Sequence, residues 1–309
     1  MKKLVKSVPL KRGDCVAITA PGACLTPEGR AHLGQAVSIL EEFGFEVKAR
    51  FDPLRRSHYF AGDDRERAQD LMALFSDPEI RAIFCARGGY GSQRIIPFLD
   101  SEIISRNPKV FIGSSDVTSL LVYLLEACHL IPFHGPNLAT AQFLEGNARV
   151  TQSSLKEALH RGFPSEIPPC KPLKTGIGKG KIKGGCLSLL VTTVGTSYEI
   201  DLDGAILFVE DFNEPLYRID RMLTHLKQAG KLDRIRGIVF GEMVSCEGRD
   251  GIDLGAVVLD LFKDLEVPIV LDFPSGHGRK NLTIPLGVEV TLDGRRGQVI
   301  FNESGLAVR

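Results

Sequence analysis

Serine, histidine and a carboxylate are the side chains that together run acyl transfer without a metal, and this chain offers each of them at a structural corner. In Lys109-Val-Phe-Ile-Gly-Ser-Ser-Asp116 a short apolar run meets two serines and an aspartate, and Val117, Leu120, Leu121, Leu124 and Leu125 follow at helical spacing. A serine on a strand-to-helix corner exposes its hydroxyl beside the unpaired N–H groups of the new helix. That arrangement suits a nucleophile whose product oxyanion needs donors. Ser114, Ser115 and Asp116 equally suit a plain helix cap, which is the commoner use of these residue types.

A nucleophilic serine needs a base, and seven histidines are present. His32, His160 and His225 fall within helical patterns, His58 in a loop and His129 at a helix end. His134, in Phe133-His-Gly-Pro136, follows a fifth strand and is either structural or cleft-lining. His277 sits in Pro274-Ser-Gly-His-Gly-Arg279, just past a strand ending at Leu271, where it can face a cleft or simply belong to a loop. Glu210 ends the apolar run Ala205-Ile-Leu-Phe-Val209. It is placed either to orient a histidine or, with Asp211, to cap the helix that starts near Pro215. Arg87-Gly-Gly-Tyr-Gly91 offers free N–H groups after a strand, suited to an oxyanion or a carboxylate, or forms an ordinary turn. It lacks the third glycine of a dinucleotide fingerprint.

The elements that must position these residues are legible from periodicity. Cys15 to Ala20, Phe45 to Ala49, Ile80 to Ala86 and Val110 to Ile112 read as strands. They alternate with helical patterns from Pro27 to Phe43 and from Asp63 through Phe75. This order predicts parallel βαβ units in an open α/β sheet, whose ligands lie at the carboxyl ends of the strands. Arg87–Gly91 and Gly113–Asp116 both fall at such ends.

Proline and glycine with interleaved lysines between about 163 and 183 suggest a linker. The expected organisation is therefore an N-terminal α/β domain over 1–163, a linker over 164–183 and a C-terminal β/α domain over 184–309. In the second domain Gly184 to Leu190 reads as a glycine-rich turn into a helix. Strands are expected at 205–209, 235–240 and 268–271, a helix from Pro215 to Gly230, and a closing antiparallel pair at 288–292 and 298–301.

Lysine plus arginine equals aspartate plus glutamate, 38 against 38, so charge gives no reason to expect nucleic acid or an anionic membrane as partner. No apolar run is long enough to span a bilayer, and the N-terminus lacks the apolar core of a signal peptide. The seven cysteines are scattered, odd in number and without a C-x-x-C pair. That pattern points to a reducing cytoplasm rather than to disulfides or structural zinc.

Taken in order, Arg87-Gly-Gly-Tyr-Gly91, Gly113-Ser-Ser-Asp116, His134-Gly-Pro136, Gly184-Gly185 with Leu187-Ser-Leu-Leu190, Leu207-Phe-Val-Glu-Asp211 and Gly276-His-Gly278 resemble the LD-carboxypeptidase family. These are serine peptidases that include muramoyltetrapeptide carboxypeptidases and microcin-immunity peptidases. The resemblance runs from about Val16 to Leu292.

It implies an N-terminal α/β domain carrying the nucleophile, a C-terminal β/α domain carrying acid and base, and a site in the cleft between them. Ser115 would be the nucleophile, His277 the general base and Glu210 the group that orients it. Backbone N–H groups of Gly89 and Asp116 would form the oxyanion hole, and the turn holding Arg87, Gly88 and Tyr90 would bind the substrate carboxylate.

The implied reaction releases the terminal D-alanine of a murein tetrapeptide in cell-wall recycling, through an acyl-enzyme and with neither metal nor cofactor. A same-family peptidase that inactivates a peptide-nucleotide antibiotic, or a non-catalytic two-domain binder of a small ligand, would present the same cleft. A homodimer is a reasonable prior for such an enzyme. Many members carry asparagine where this chain has Cys186, so whatever contact that asparagine makes is open here.

Overall fold

The computed structural model describes residues 3–49, 51–146, 148–248 and 251–308. The chain builds two sheets, and the first begins as expected with an apolar run that is buried throughout. In the first, β1 (Cys15–Thr19), β2 (Glu46–Ala49), β3 (Ile80–Cys85), β4 (Val110–Gly113) and β5 (Phe133–His134) are parallel neighbours, in the order β5-β4-β3-β1-β2. Helices cross between them, Pro27–Glu42 and Asp64–Ser76 among others. The second of these starts with a full capping box, Asp63 and Glu66 each satisfying the other's backbone N–H.

The second sheet contains β6 (Lys171–Lys174), β7 (Ile177–Cys186), β8 (Ile206–Phe212), β9 (Gly237–Val244) and β10 (Ile269–Leu271). β7, β8, β9 and β10 run parallel, with β6 antiparallel at one edge. The stretch expected to be a linker, 164–183, therefore holds an edge strand and most of the longest strand of this sheet. Its glycines mislead because they serve packing: a Cβ on Gly178 would stand 1.9 Å from the Arg236 carbonyl oxygen, and one on Gly180 2.2 Å from that of Gly204. Gly184 and Gly185, expected in a turn, close β7 instead, and the helix Leu187–Val191 follows directly.

The chain then crosses back. β11 (Ile284–Pro285) pairs antiparallel with β5 at the edge of the first sheet, so a segment from the C-terminal half completes the N-terminal one. β12 (Glu289–Asp293) and β13 (Gln298–Phe301) return to β7 as the expected antiparallel pair.

Between the sheets lies the helix Thr118–Glu126, with every residue from Thr118 to Leu125 buried. Val117, Leu120, Leu121 and Leu124 share one apolar cluster with Ile182, Phe208, Val239 and Phe273 of the second half. A helix apolar on all sides is what a shared wall requires. Lys183 on β7 adds a polar tie, its ammonium 2.8 Å from Glu126 Oε1 and 2.7 Å from the Asp201 carbonyl. Lys183→Ala would strand a nearly buried carboxylate, and about 2–3 kcal/mol of stability should be lost in urea unfolding. A loss within error of zero would mean that this ion pair adds nothing to the hold between the two halves.

Candidate active site

Ser115 follows β4 in a backbone conformation that few non-glycine residues adopt, φ 62°. It opens a short 3-10 turn, Ser115–Val117, ahead of the buried helix. Holding an L-residue there costs about 1–2 kcal/mol, so neighbours must fix the corner. Asn137 does so from the loop after β5, donating to the Ser114 carbonyl at 3.2 Å and to its hydroxyl at 3.3 Å.

Neither serine caps the helix. Ser114 makes no side-chain cap, and the Asp116 carboxylate turns back to accept from the N–H groups of Ser92 at 2.8 Å and Gly91 at 3.2 Å. Burial pushes the Asp116 carboxyl above its ordinary range, against the lowering effect of those bonds and of the Arg67 charge. The glycine turn is thereby tied to the serine corner: a Cβ on Gly88 would stand 2.9 Å from Ser115 Cβ and 3.2 Å from its Oγ. Among the described residues, the backbone N–H groups of Gly89 and Asp116 donate to no protein acceptor.

Glu210 sits near the end of β8, where the β8–β9 register shifts between Val209 and Asp211. An irregularity there re-aims the side chain, and Glu210 is wholly buried. Its Oε2 lies 2.5 Å from His277 Nδ1. Its Oε1 faces His134 Nε2 at 3.5 Å, a charge contact longer than a made hydrogen bond, and neither of those atoms has another partner. Burial alone would raise the Glu210 carboxyl; the two histidines outweigh it and hold it at about 2. For His277 burial disfavours the charged ring, but the bond and charge of Glu210 prevail and raise its pKa above the ordinary histidine value.

Glycine is required at 276, where φ is 138°, and at 278 it leaves room for the Glu242 carboxylate. A Cβ on Gly276 would stand 2.9 Å from Glu210 Cβ, and one on Gly278 2.0 Å from Glu242 Oε2. Gln142 clamps the loop from the first half, donating to the carbonyls of Gly276 at 2.7 Å and Gly278 at 2.6 Å. Asn281 Oδ1 accepts from Gly276 N at 3.2 Å, and Phe212 stacks on the His277 ring with centroids 5.5 Å apart.

His134, one of two roles left open by the sequence, thus faces Glu210 from β5, with Ser275 Oγ 3.2 Å from its Nδ1. Gln142, Asn137 and Asn281 gave no signal, because amides far apart in sequence become partners only on folding. Asp211 caps a different helix from the one expected, accepting from Ser188 N at 2.8 Å. The cluster among the described residues that could hold a metal ion is Glu28, His32 and Glu145, which includes none of these groups.

The structure therefore brings Glu210 and His277 into contact and sets Ser115 against the Arg87–Gly91 turn. It shows no hydrogen bond between the Ser115 hydroxyl and His277. Arg87 donates to the Cys24 carbonyl at 2.7 Å, and Tyr90 is exposed at the rim.

Residues 16–135 match the LD-carboxypeptidase N-terminal domain and residues 179–292 the LD-carboxypeptidase C-terminal domain. A probable murein peptide carboxypeptidase of Bacillus subtilis strain 168 is 35% identical, over 93% of this chain and 91% of its own. The chain belongs to the LD-carboxypeptidase family. A muramoyltetrapeptide carboxypeptidase from Oxalobacter formigenes shares the architecture with a TM-score of 0.84 at 29% identity, over 94% of this chain and 99% of that one. The microcin C7 self-immunity protein MccF of Escherichia coli is 28% identical over 97% and 96% of the two chains.

In this LD-carboxypeptidase family member, Cys186 is buried, and its thiol lies 3.5 Å from Asp211 Oδ1 and 3.3 Å from Ser188 Oγ. Burial raises that thiol well above its usual range, with Glu210 and Asp211 adding to the shift, so it packs as a neutral group.

The signs of the two shifts set the pH dependence of the couple. The raised His277 contributes stability that is full below about pH 6.5 and fades as pH rises through its folded value. The depressed Glu210 contributes above its ordinary range, and that part fades as pH falls toward about 2. Glu210→Gln leaves burial opposed only by the Asp211 charge, so NMR titration should find the His277 pKa lowered from its wild-type value. An unmoved titration would remove Glu210 as the cause.

Proposed function

We propose that this protein is a serine LD-carboxypeptidase that removes the terminal D-alanine from murein tetrapeptides, with Ser115 as nucleophile. The observation that carries the reading is the buried Glu210–His277 couple, 2.5 Å long, in a chain whose strained serine corner lies across the same seam. A carboxylate on Nδ1 fixes the tautomer that leaves Nε2 free to take a proton.

In the proposed reaction Ser115 Oγ attacks the carbonyl of the L-centre as its proton passes to His277. The tetrahedral oxyanion is received by the N–H groups of Gly89 and Asp116, which donate to no acceptor among the described residues. His277 then protonates the departing D-alanine nitrogen, and water, activated by the same imidazole, hydrolyses the acyl-enzyme. Asp116 has a double part: its backbone faces the oxyanion while its carboxylate fixes the Gly88–Gly91 turn. The missing Ser115–His277 bond fits an apo site, where such bonds form on substrate binding.

The murein reading is preferred to antibiotic inactivation because the relative named a murein peptide carboxypeptidase is nearer in sequence, 35% against 28% for MccF. Seven free cysteines support action in a reducing compartment, where cell-wall peptides are recycled. No helix among the described residues is long and apolar enough to cross a membrane.

Ser115→Ala should cut release of D-alanine from L-Ala-γ-D-Glu-meso-diaminopimelate-D-Ala by about 10³-fold or more, measured by coupled assay on protein with an unchanged melting curve. Retained turnover would remove the serine mechanism. Because His277 must be neutral to act as base, kcat/KM should rise with pH through a value above about 6.5. Chelators should leave the rate unchanged; a loss restored by zinc would assign the chemistry to a metal.

A further inference from the structure

The helix Pro27–Glu42 carries a second group of chemically capable side chains, outside the Ser115, Glu210 and His277 set. Glu28 and His32 stand one turn apart on it, at the i, i+4 spacing that puts two side chains on one face. Glu145, directly after the short helix Ala141–Leu144, reaches the same point. One ligand atom from each of the three lies within 4.8 Å of the other two. His32 Nε2 is 3.5 Å from Glu145 Oε1. A tetrahedral ion with bonds of about 2.0–2.2 Å holds its ligand atoms roughly 3.4 Å apart, so this pair already has the spacing of two ligands on one ion.

Two further observations separate the cluster from an ordinary surface ion pair. His32 is only 9% exposed, yet neither ring nitrogen makes a hydrogen bond with a described residue, the Glu145 contact being a charge contact alone. Buried imidazole nitrogens ordinarily have a partner. The two carboxylates also converge with no lysine or arginine paired to either among the described residues. The helix N-terminus favours Glu28 in its first turn, but it gives no reason for Glu145 to join it. A cation accounts for both carboxylates and for the bare nitrogen.

We propose that Glu28, His32 and Glu145 bind a divalent transition ion of the zinc class, with water completing its coordination. One imidazole with two carboxylates suits such an ion, whereas Ca²⁺ and Mg²⁺ take oxygen ligands and would leave the nitrogen unused. The ion's role is structural. It ties the helix Pro27–Glu42 to residues 141–145, whose Phe143 shares an apolar cluster with Leu33 of that helix. Gln142 of the same segment donates to the carbonyls of Gly276 and Gly278, and its Oε1 accepts from Asn281 at 3.1 Å. Protein groups alone make that clamp on the His277 loop, so the ion strengthens its support without entering the reaction.

Zinc titration of the full chain, treated with chelator and dialysed, tests this by calorimetry and by melting temperature. Wild type should bind one zinc per chain and melt higher with it. Glu145→Gln and His32→Gln should each weaken that binding by about ten-fold or more and lose the rise in melting temperature. Glu145 is exposed, so its variant reports on the ion without disturbing a packed core. Melting curves without zinc show whether each variant is folded. Zinc bound at wild-type affinity in both folded variants would place the ion elsewhere, at cysteines or at His277, and overturn the assignment. A wild type with no zinc-dependent heat or melting shift would overturn it too, leaving a plain His–Glu contact. So would equal stabilisation by Mg²⁺, which would make this a site for oxygen-seeking ions. Stoichiometric zinc should not change the rate of D-alanine release; a rate that tracks occupancy in wild type but not in Glu145→Gln would overturn the structural role. The site is independent of the peptidase reading, since an inactive wild type that binds zinc here would remove that reading and leave the site standing.

Discussion

One fully buried carboxylate organises the junction between the halves of this molecule. Glu210 has no solvent to stabilise its charge, and an unpaired buried charge is among the most costly features a fold can hold. Two histidines face it, His277 at 2.5 Å from the loop after β10 and His134 at 3.5 Å from β5 of the other sheet. Much of the local architecture follows from keeping those three groups together. β11 crosses back to pair with β5 immediately after the His277 loop, so the strand carrying His134 and the segment carrying His277 are joined by backbone. Gln142 ties the same loop to the first half through two carbonyls.

The balance of terms at Glu210 also decides what the couple can do. Burial by itself would neutralise the acid, and a neutral acid would be a poor orienter of an imidazole. Histidine contacts reverse that and keep it ionised, and the ionised acid in turn raises His277. The serine corner is built on an opposite principle: its backbone is strained, and the strain is held by Asn137 and by the packed helix Thr118–Glu126. Asp116 links the corner to the glycine turn, so that movement of either displaces the other. A rigid couple on one side and a braced, strained corner on the other is the form of pre-organisation that acyl transfer exploits.

Much of this was legible in the sequence, for reasons that differ by element. β1, β3 and β4 are readable because burial on both faces leaves apolar runs, the edge strand β2 from its alternation, and the helices Pro27–Glu42 and Asp64–Ser76 from their one-sided apolar faces; the short helices between β3 and β4 are not. Glu210 and His277 stood out by position, each at a strand end or in a turn, but only the ordered set of motifs joined them to Ser115. The segment 164–183 reads as a linker because its glycines, which in the fold permit close approach of neighbouring backbone, look like flexibility. β11 was missed because two residues carry no periodicity. The roles of Asn137, Gln142 and Asn281 depend on pairings across many tens of residues, and nothing local encodes them. The sequence offers Asp116 as a helix cap and, through the family resemblance, as a backbone oxyanion donor; only the fold shows its carboxylate reaching back to Gly91 and Ser92.

Activation of Ser115 by His277 is the step on which the proposed reaction depends. The most direct measurement is mass spectrometry of the protein after treatment with a serine-directed fluorophosphonate, with the adduct located by peptide mapping. A single adduct on Ser115 is predicted, absent from Ser114 and lost in His277→Ala protein that keeps its melting curve. An adduct on Ser114, or labelling of Ser115 that persists undiminished without His277, would contradict it.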